Sequence, residues 1–188
     1  LPFVSRGGLK LQAALQAFHY TCQDKIVIDI GASTGGFTDC VLQHGASKVY
    51  AIDVGYGQLA WKLRQDPRVI NKERTNIRKL TKEHVPDDCD LAVIDCSFIS
   101  LQKVFPHTLR FLRPGGDLIA LIKPQFEAGK DAVQRGGVVR DMHKRQQAID
   151  ATLQAANHLP LHFQQGIDCP IHGPSGNIEY LAWLTYQP

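Results

Sequence analysis

Four charged residues stand at the ends of apolar, strand-like runs, where the polar side chains of α/β enzymes usually lie. Asp29, Asp53 and Asp95 each end such a run or follow it directly, and Lys123 does the same after DLIALI. A single acid in this position is often only a helix cap, but four charges at equivalent positions indicate a shared site. An ammonium at the mouth of a buried strand must be paired or lose its charge, so we expect Asp95 to be the partner of Lys123.

The glycine-rich segment IVIDIGASTGGFT, residues 26–38, predicts how a ligand is held beside these charges. Its first residues are mostly β-branched and apolar, which is typical of a strand buried in a parallel sheet. Gly31, Gly35 and Gly36 then let the chain turn tightly past a ligand, and the following helix would direct its free N–H groups towards that ligand. These features are typical of the start of a nucleotide-type cofactor site.

Three kinds of site compete for this turn. A dinucleotide fingerprint fits Asp53, 22 residues after Gly31, as its ribose-binding acid, but it needs glycine where Ser33 stands. Residues 31–35, GASTG, also match a nucleophile elbow, yet too little chain precedes them to supply an oxyanion loop from an earlier strand. S-adenosylmethionine needs close backbone approach and a carboxylate at the end of the second strand, and both are present. We therefore favour S-adenosylmethionine over NAD and over a hydrolase.

Hydrophobic periodicity predicts that strands alternate with helices. Strands are expected at about 25–30, 48–53, 68–72, 91–97, 117–124, 160–168 and 178–186, and helices at about 8–19, from 35, 57–64, 101–111 and 141–157. Such alternation indicates a doubly wound, Rossmann-like α/β sheet, whose ligands bind beyond the carboxyl ends of the strands. The last two strands leave no room for a helix between them. We therefore expect a mostly parallel seven-stranded sheet with an antiparallel C-terminal hairpin, as in methyltransferases.

Composition favours a compact intracellular enzyme. With 188 residues, 44% of them hydrophobic, and no linker or repeat, residues 1–188 are expected to form one domain. No apolar stretch approaches the roughly 20 residues that span a bilayer, so we predict a cytoplasmic protein without membrane insertion. The five cysteines are scattered without a C-x-x-C pair, so neither a disulfide framework nor a metal site is expected. The charge of +3 does not by itself indicate RNA, although the basic residues at 130–145 are candidate phosphate contacts.

Eight ordered motifs together resemble one family. They are SRGGLKL (5–11), VIDIGASTGGFTDC (27–40), AIDVGYGQLAWKLR (51–64), ERTNIR (73–78), VIDCSFIS (93–100), IKPQFEAG (122–129), GGVVRD (136–141) and GPSGNIEYL (173–181). In this order they are similar to the TlyA family, whose members are described both as hemolysins and as ribosomal RNA 2′-O-methyltransferases with an FtsJ-like catalytic domain. The resemblance implies S-adenosylmethionine as cofactor, ribosomal RNA and ribosomal subunits as partners, and cytidine ribose as acceptor. It also implies an S4-type RNA-binding domain upstream of this chain.

The resemblance assigns residues as well. FtsJ-like enzymes carry a Lys-Asp-Lys-Glu tetrad, which the motifs place at Lys10, Asp95, Lys123 and Glu179. Lys123 is expected to remove the proton of the ribose hydroxyl, Asp95 to orient Lys123, and Glu179 to position Lys10. The implied cofactor-binding residues are Asp29, Gly31, Ser33, Gly35, Phe37, Asp53, Asn76 and Ile77, with Asp53 at the ribose and the last two at the adenine. Thr34 departs from the FtsJ pattern, in which proline often occupies this position.

Two other classes of function remain open at this stage. The hemolysin description suggests a membrane-active protein, although the chain has no spanning segment and no sustained membrane-barrel pattern. A non-catalytic RNA-binding module is the other alternative, and such a module would not need an intact tetrad. Binding of S-adenosylmethionine discriminates between these alternatives and a methyltransferase.

Overall fold

The computed structural model describes all 188 residues and contains seven β-strands and six α-helices. The strands are β1 (Ile26–Ile30), β2 (Lys48–Ile52), β3 (Val69–Lys72), β4 (Cys89–Ile94), β5 (Leu112–Ile122), β6 (Leu161–Asp168) and β7 (Tyr180–Tyr186). The helices are α1 (Arg6–Phe18), α2 (Gly36–Gln43), α3 (Trp61–Arg64), α4 (Phe105–Thr108), α5 (Pro124–Glu127) and α6 (Met142–Asn157). These elements follow the predicted alternation of strand and helix.

All seven strands belong to one sheet in the order β3-β2-β1-β4-β5-β7-β6. The pairs from β3 to β5 are parallel, whereas β7 runs antiparallel to both β5 and β6. The predicted mostly parallel sheet with an antiparallel C-terminal pair is therefore confirmed. The strand order adds one feature that the periodicity could not predict: β7 inserts between β5 and β6, so the hairpin is not simply appended to the edge.

Both faces of the sheet are covered by apolar layers. Successive residues of a strand point to opposite faces, so each strand contributes side chains to both layers. In β1, Val27 packs into the apolar layer that α1 and α2 cover, while Ile28 packs into the opposite layer. The opposite layer is closed by Ile149 and Ala156 of α6 and by Phe105 and neighbouring residues of the segment 101–111. The near-continuous apolar character of β1 thus follows from burial on both sides.

Two predicted helices are shorter than expected. The segment 101–111 is a four-residue α4 flanked by 3₁₀ turns, because Pro106 lies in the first turn of α4 and has no N–H to donate. The segment 57–64 is helical only from Trp61. Gly57 has a φ of 70°, and the N–H of Ala60 donates to the carbonyl of Thr34 in the glycine-rich turn. That tertiary contact takes the place of a first helical turn.

Candidate active site

The glycine-rich turn after β1 shapes a cleft at the carboxyl ends of the parallel strands. Gly31 has a φ of 83°, and a side chain there would collide with the backbone carbonyl of Asp95. Glycine adopts this positive φ without strain and leaves room for the Asp95 carbonyl. Ser33 also has a positive φ, 52°, and its N–H donates to the Asp53 carboxylate at 2.6 Å. The turn is therefore held against the acid that ends β2.

One half of the cleft, here called the cofactor pocket, has a volume of about 480 Å³. Its apolar walls include Ile52, Ile77 and Val104, and its polar rim includes Asp53 and Asn76. The two oxygens of Asp53 accept hydrogen bonds from the N–H groups of Ser33, at 2.6 Å, and Gly55, at 2.7 Å. Because each carboxylate oxygen has a second lone pair, Asp53 can still accept from ribose hydroxyls. An apolar slot with a carboxylate at its rim fits an adenosine.

Two residues predicted to bind the cofactor lie behind the turn rather than in the cleft. Asp29 is fully buried; its Oδ2 accepts from Thr38 Oγ1 at 2.6 Å, and its Oδ1 has no hydrogen-bond partner in the protein. Burial raises the pKa of Asp29 to about 7, although the Thr38 hydrogen bond opposes this shift. Gly35 is the N-cap residue of α2, and a side chain there would collide with Leu59 and Leu63.

The remaining predicted cofactor-binding residues line the cleft. They are Gly31, Ser33, Phe37, Asp53, Asn76 and Ile77.

The second half of the cleft, here called the acceptor pocket, is polar and has a volume of about 300 Å³. Arg6, Lys10 and His172 line it, and Arg6 Nη2 donates to the carbonyl of His172 at 3.2 Å. The acceptor pocket shares Gly31, Ser33 and Asp95 with the cofactor pocket. A group in the acceptor pocket can therefore meet a group in the cofactor pocket beside Asp95.

The four tetrad residues form two ion pairs. Lys123 Nζ lies 2.5 Å from Asp95 Oδ1 and also donates to Ser97 Oγ at 2.9 Å. Lys10 Nζ donates to Glu179 Oε1 at 2.6 Å. The expected partner of Lys123 is thus in place, and Asp95 belongs at once to this pair and to both pockets. The chain brings these residues together from α1, the ends of β4 and β5, and the loop before β7.

Burial separates Glu179 from the other three tetrad residues. The side chain of Asp95 is 26% exposed, while those of Lys10 and Lys123 are 11% and 10% exposed. Glu179 is fully buried. A side chain at Gly173 would collide with the Glu179 carboxylate, so the loop backbone closes over this residue. Glu179 therefore contacts Lys10 and Gln125, and its carboxylate is not accessible from the cleft.

Three residues of the site were not predicted from the sequence. Ser97 holds Lys123, and Gln125 Nε2 donates to Glu179 Oε2 at 3.2 Å. Phe98 is 89% exposed beside the cofactor pocket, has a φ of 64°, and lies 4.9 Å from the Phe126 ring, centroid to centroid. The sequence contained no signal for Phe98, because an aromatic residue after a strand resembles a core residue.

Two other groups that could carry chemistry are structural. Burial raises the pKa of the Cys96 thiol to about 12, so this residue of the cofactor pocket is not a thiolate nucleophile at neutral pH. Arg145, one of the candidate phosphate contacts, is instead buried. It donates to the carbonyl of Ile178 at 2.8 Å and to Asp168 at 2.7 Å, and so ties α6 to the C-terminal strands.

A sheet of this order, with an adenosine-shaped pocket beyond a glycine-rich turn, defines an S-adenosylmethionine-dependent methyltransferase. The sequence profile described as FtsJ-like methyltransferase matches residues 3–186, and the chain belongs to this family. S-adenosylmethionine is accordingly its cofactor, and the turn, the apolar slot and Asp53 fit that molecule. No helix of the structure is both long enough and apolar enough to cross a membrane.

Individual relatives agree with this assignment. The chain is 48% identical over 185 residues to the 16S/23S rRNA (cytidine-2′-O)-methyltransferase TlyA of Mycobacterium tuberculosis, covering 98% of this chain and 69% of the relative. A solved structure from Lactococcus lactis, provisionally described as a hemolysin, has a TM-score of 0.95 and 44% identity, over 100% of this chain and 90% of that one.

A more distant structure shares the fold alone. The N-methyltransferase NodS of Bradyrhizobium japonicum, in complex with S-adenosyl-L-homocysteine, has a TM-score of 0.67 and 16% identity, over 97% of this chain and 86% of that one. The chain spans 66% and 69% of the length of two curated relatives that it matches at 48% identity.

Proposed function

We propose that this chain transfers a methyl group from S-adenosylmethionine to the 2′-hydroxyl of a ribose in ribosomal RNA, with cytidine as the acceptor nucleoside. The observation that carries the proposal is the presence of two lysine–carboxylate ion pairs at the cleft, one through Lys10 in the acceptor pocket and one through Asp95, which lines both pockets. The name of the Mycobacterium tuberculosis relative supports the choice of RNA. Ribosomal subunits as partners, a cytoplasmic location and an upstream S4-type RNA-binding domain belong to the same proposal.

The reaction asks two things of the protein. S-adenosylmethionine supplies a methyl group that its positive sulfur has already activated. The ribose hydroxyl is a poor nucleophile until its proton is removed, so the protein must orient this hydroxyl and accept its proton. Asp53 and the walls of the cofactor pocket hold the nucleoside part of the cofactor, and the polar acceptor pocket receives the ribose.

Lys123 is the group that accepts the proton. With both lysines protonated and both carboxylates ionised, the tetrad has no net charge; with Lys123 neutral, its net charge is −1. Transfer of the hydroxyl proton to Lys123 therefore restores a neutral cluster in a largely buried site, where an uncompensated charge is costly. Asp95, 2.5 Å away, stabilises the ammonium that forms.

Lys10 is the cation of the acceptor pocket. Its ammonium has three donors, of which Glu179 occupies one, so it can also donate to the ribose oxygen or to a neighbouring phosphate. As alkoxide character develops on the ribose oxygen, this fixed positive charge stabilises it.

Phe98 provides a stacking surface for the acceptor base. A strongly exposed phenylalanine with a positive φ is unusual. The neighbouring Phe126 ring supports it from one side. Single-stranded RNA bases stack on such aromatic rings, and a base stacked on Phe98 would bring its ribose towards Asp95, which lines the same pocket.

The proposal is tested with ribosomal subunits from a strain that lacks the gene. The protein, with any upstream domain that it has, is incubated with tritiated S-adenosylmethionine, and the RNA is digested to nucleosides. We expect the label in 2′-O-methylcytidine. Label on a base, or no label on RNA while the cofactor binds, would refute the proposal.

Two substitutions of Lys123 test the proton transfer. Lys123→Ala and Lys123→Arg should both abolish methylation and leave the affinity for S-adenosylmethionine nearly unchanged, since Lys123 lies behind Asp95 and does not itself line the cofactor pocket. Arginine keeps the positive charge but holds its proton too tightly to act as a base. Substantial turnover by Lys123→Arg would exclude proton abstraction and leave Lys123 an electrostatic role.

A further inference from the structure

Gln125 lies behind the tetrad, in contact with the buried Glu179. Its Nε2 donates to Glu179 Oε2 at 3.2 Å, while the other oxygen of Glu179 accepts from Lys10 at 2.6 Å. Two donors on different oxygens fix the rotation of this buried carboxylate. Gln125 therefore sets the direction from which Glu179 meets the Lys10 ammonium.

The orientation of the Gln125 amide is determined by this contact. A flipped amide would bring its oxygen against the carboxylate, and two acceptors repel each other. Its Oε1 must consequently face away from Glu179, and there it is buried without a hydrogen-bond partner. A buried acceptor without a donor is unfavourable, so packing alone does not account for an amide at this position.

Gln125 also connects the two ion pairs through the backbone. It lies in α5, two residues after Lys123, and α5 has only four residues. The next residues of α5 hold the opposite side of the cleft: Phe126 packs against Phe98, and Glu127 accepts from Ser100 Oγ and the N–H of Leu101, each at 2.7 Å. A displacement of Gln125 is therefore transmitted to Lys10 through Glu179 and to Lys123 through the chain.

We propose that Gln125 is a positioning residue of the methyl-transfer site, which aligns Lys10 through Glu179 and keeps an uncharged side chain beside the Lys10–Glu179 pair. This inference rests on the proposed function. The requirement for an uncharged amide follows from the charge of the tetrad. A carboxylate at this position would add a second negative charge next to Glu179 and hold the neighbouring lysines in their protonated form.

Two variants of the protein separate these roles, with the rate of methyl transfer to unmodified ribosomal subunits measured from pH 6 to pH 9. Gln125→Leu should lower kcat on the order of tenfold at every pH, because Lys10 loses its alignment. Gln125→Glu should also shift the alkaline rise of the rate to higher pH, by about one unit, because Lys123 then gives up its proton less readily. The affinity for S-adenosylmethionine, measured by calorimetry, should stay that of the unsubstituted protein in both variants.

The control is Gln146→Leu. Gln146 also donates its amide to a carboxylate, that of Asp150 at 2.8 Å, but on the exposed face of α6. It should leave kcat and the pH profile unchanged. If both Gln125 variants kept the kcat and the pH profile of the unsubstituted protein, the inference would be overturned. It would also be overturned if their activity fell only in proportion to the amount of folded protein. Failure of the unsubstituted protein to methylate RNA would instead refute the proposed function.

Discussion

The Lys10–Glu179 pair should stabilise the fold in a way that is separable from its role in the reaction. Its side chains are 11% and 0% exposed, and α1 and the loop before β7 meet through it. Replacing only one partner leaves a buried charge without compensation, which costs about 3–5 kcal/mol in comparable sites. We therefore expect Lys10→Met and Glu179→Met each to lower the free energy of unfolding by about that amount.

The double variant Lys10→Met/Glu179→Met should recover most of this loss. Two apolar side chains of similar length replace the pair, and such replacements of buried ion pairs are often neutral. The recovery is incomplete, because Gln125 Nε2 loses its acceptor, and we expect about 1–3 kcal/mol to remain lost for that reason. Methyl transfer should stay abolished, since the acceptor pocket has lost its cation.

Urea unfolding followed by circular dichroism measures these free energies, and the three variants close a double-mutant cycle. The exposed pair Lys82–Asp88, with side chains 40% and 67% exposed, provides the matched control. Lys82→Met and Asp88→Leu should each cost less than about 1 kcal/mol. If the Lys10 and Glu179 single variants were no more destabilising than these controls, the pair would not be buried as the structure has it.

Three further predictions follow from other parts of the site. Asp53→Ala should weaken binding of S-adenosylmethionine by roughly 1–3 kcal/mol in calorimetry, and an unchanged affinity in a folded variant would remove Asp53 from the cofactor pocket. Phe98→Ala should weaken RNA binding by roughly 1–3 kcal/mol, while Phe98→Trp should retain activity, and an unchanged RNA affinity of Phe98→Ala would contradict the stacking role. Because the pKa of Asp29 is raised from 3.8 to about 7, the folded state binds its proton more tightly than the unfolded state does. Protonation of Asp29 therefore stabilises the folded state fully below about pH 4, and this stabilisation is lost as the pH rises to 7. Asp29→Asn should make the free energy of unfolding less dependent on pH between these values. An unaltered slope would contradict the raised pKa of Asp29.

The central strands could be predicted from the sequence because they are buried on both faces. Runs such as IVIDI have little alternative to a central strand, and β1 forms at residues 26–30, close to the predicted range. The predicted helix at 101–111 is a shorter α-helix between two 3₁₀ turns, because periodicity does not register that Pro106 has no amide hydrogen. The insertion of β7 between β5 and β6 depends on long-range pairing, which local patterns do not contain.

Site residues could be predicted from the sequence where both their charge and their position at a strand end indicated a functional role. A lysine at the end of a buried strand implies a partner, so Asp95 could be named from charge alone. Glu179 could not, since a single carboxylate near a strand is usually exposed, and only the family motif indicated it. Phe98 and Gln125 carry no charge, and their importance lies in an exposure and a buried contact that exist only in three dimensions.

The cofactor pocket and the acceptor pocket are built from different parts of the chain. The cofactor pocket uses residues from one contiguous stretch, Ile30 to Val104. The acceptor pocket adds α1 and the loop before β7, and its Lys10–Glu179 contact joins residues 169 positions apart. Loosening of either terminal region should therefore abolish methyl transfer before it abolishes binding of S-adenosylmethionine, because the cofactor pocket survives while Lys10 loses its fixed position. Cofactor affinity alone is thus an insufficient measure of an intact active site in this protein.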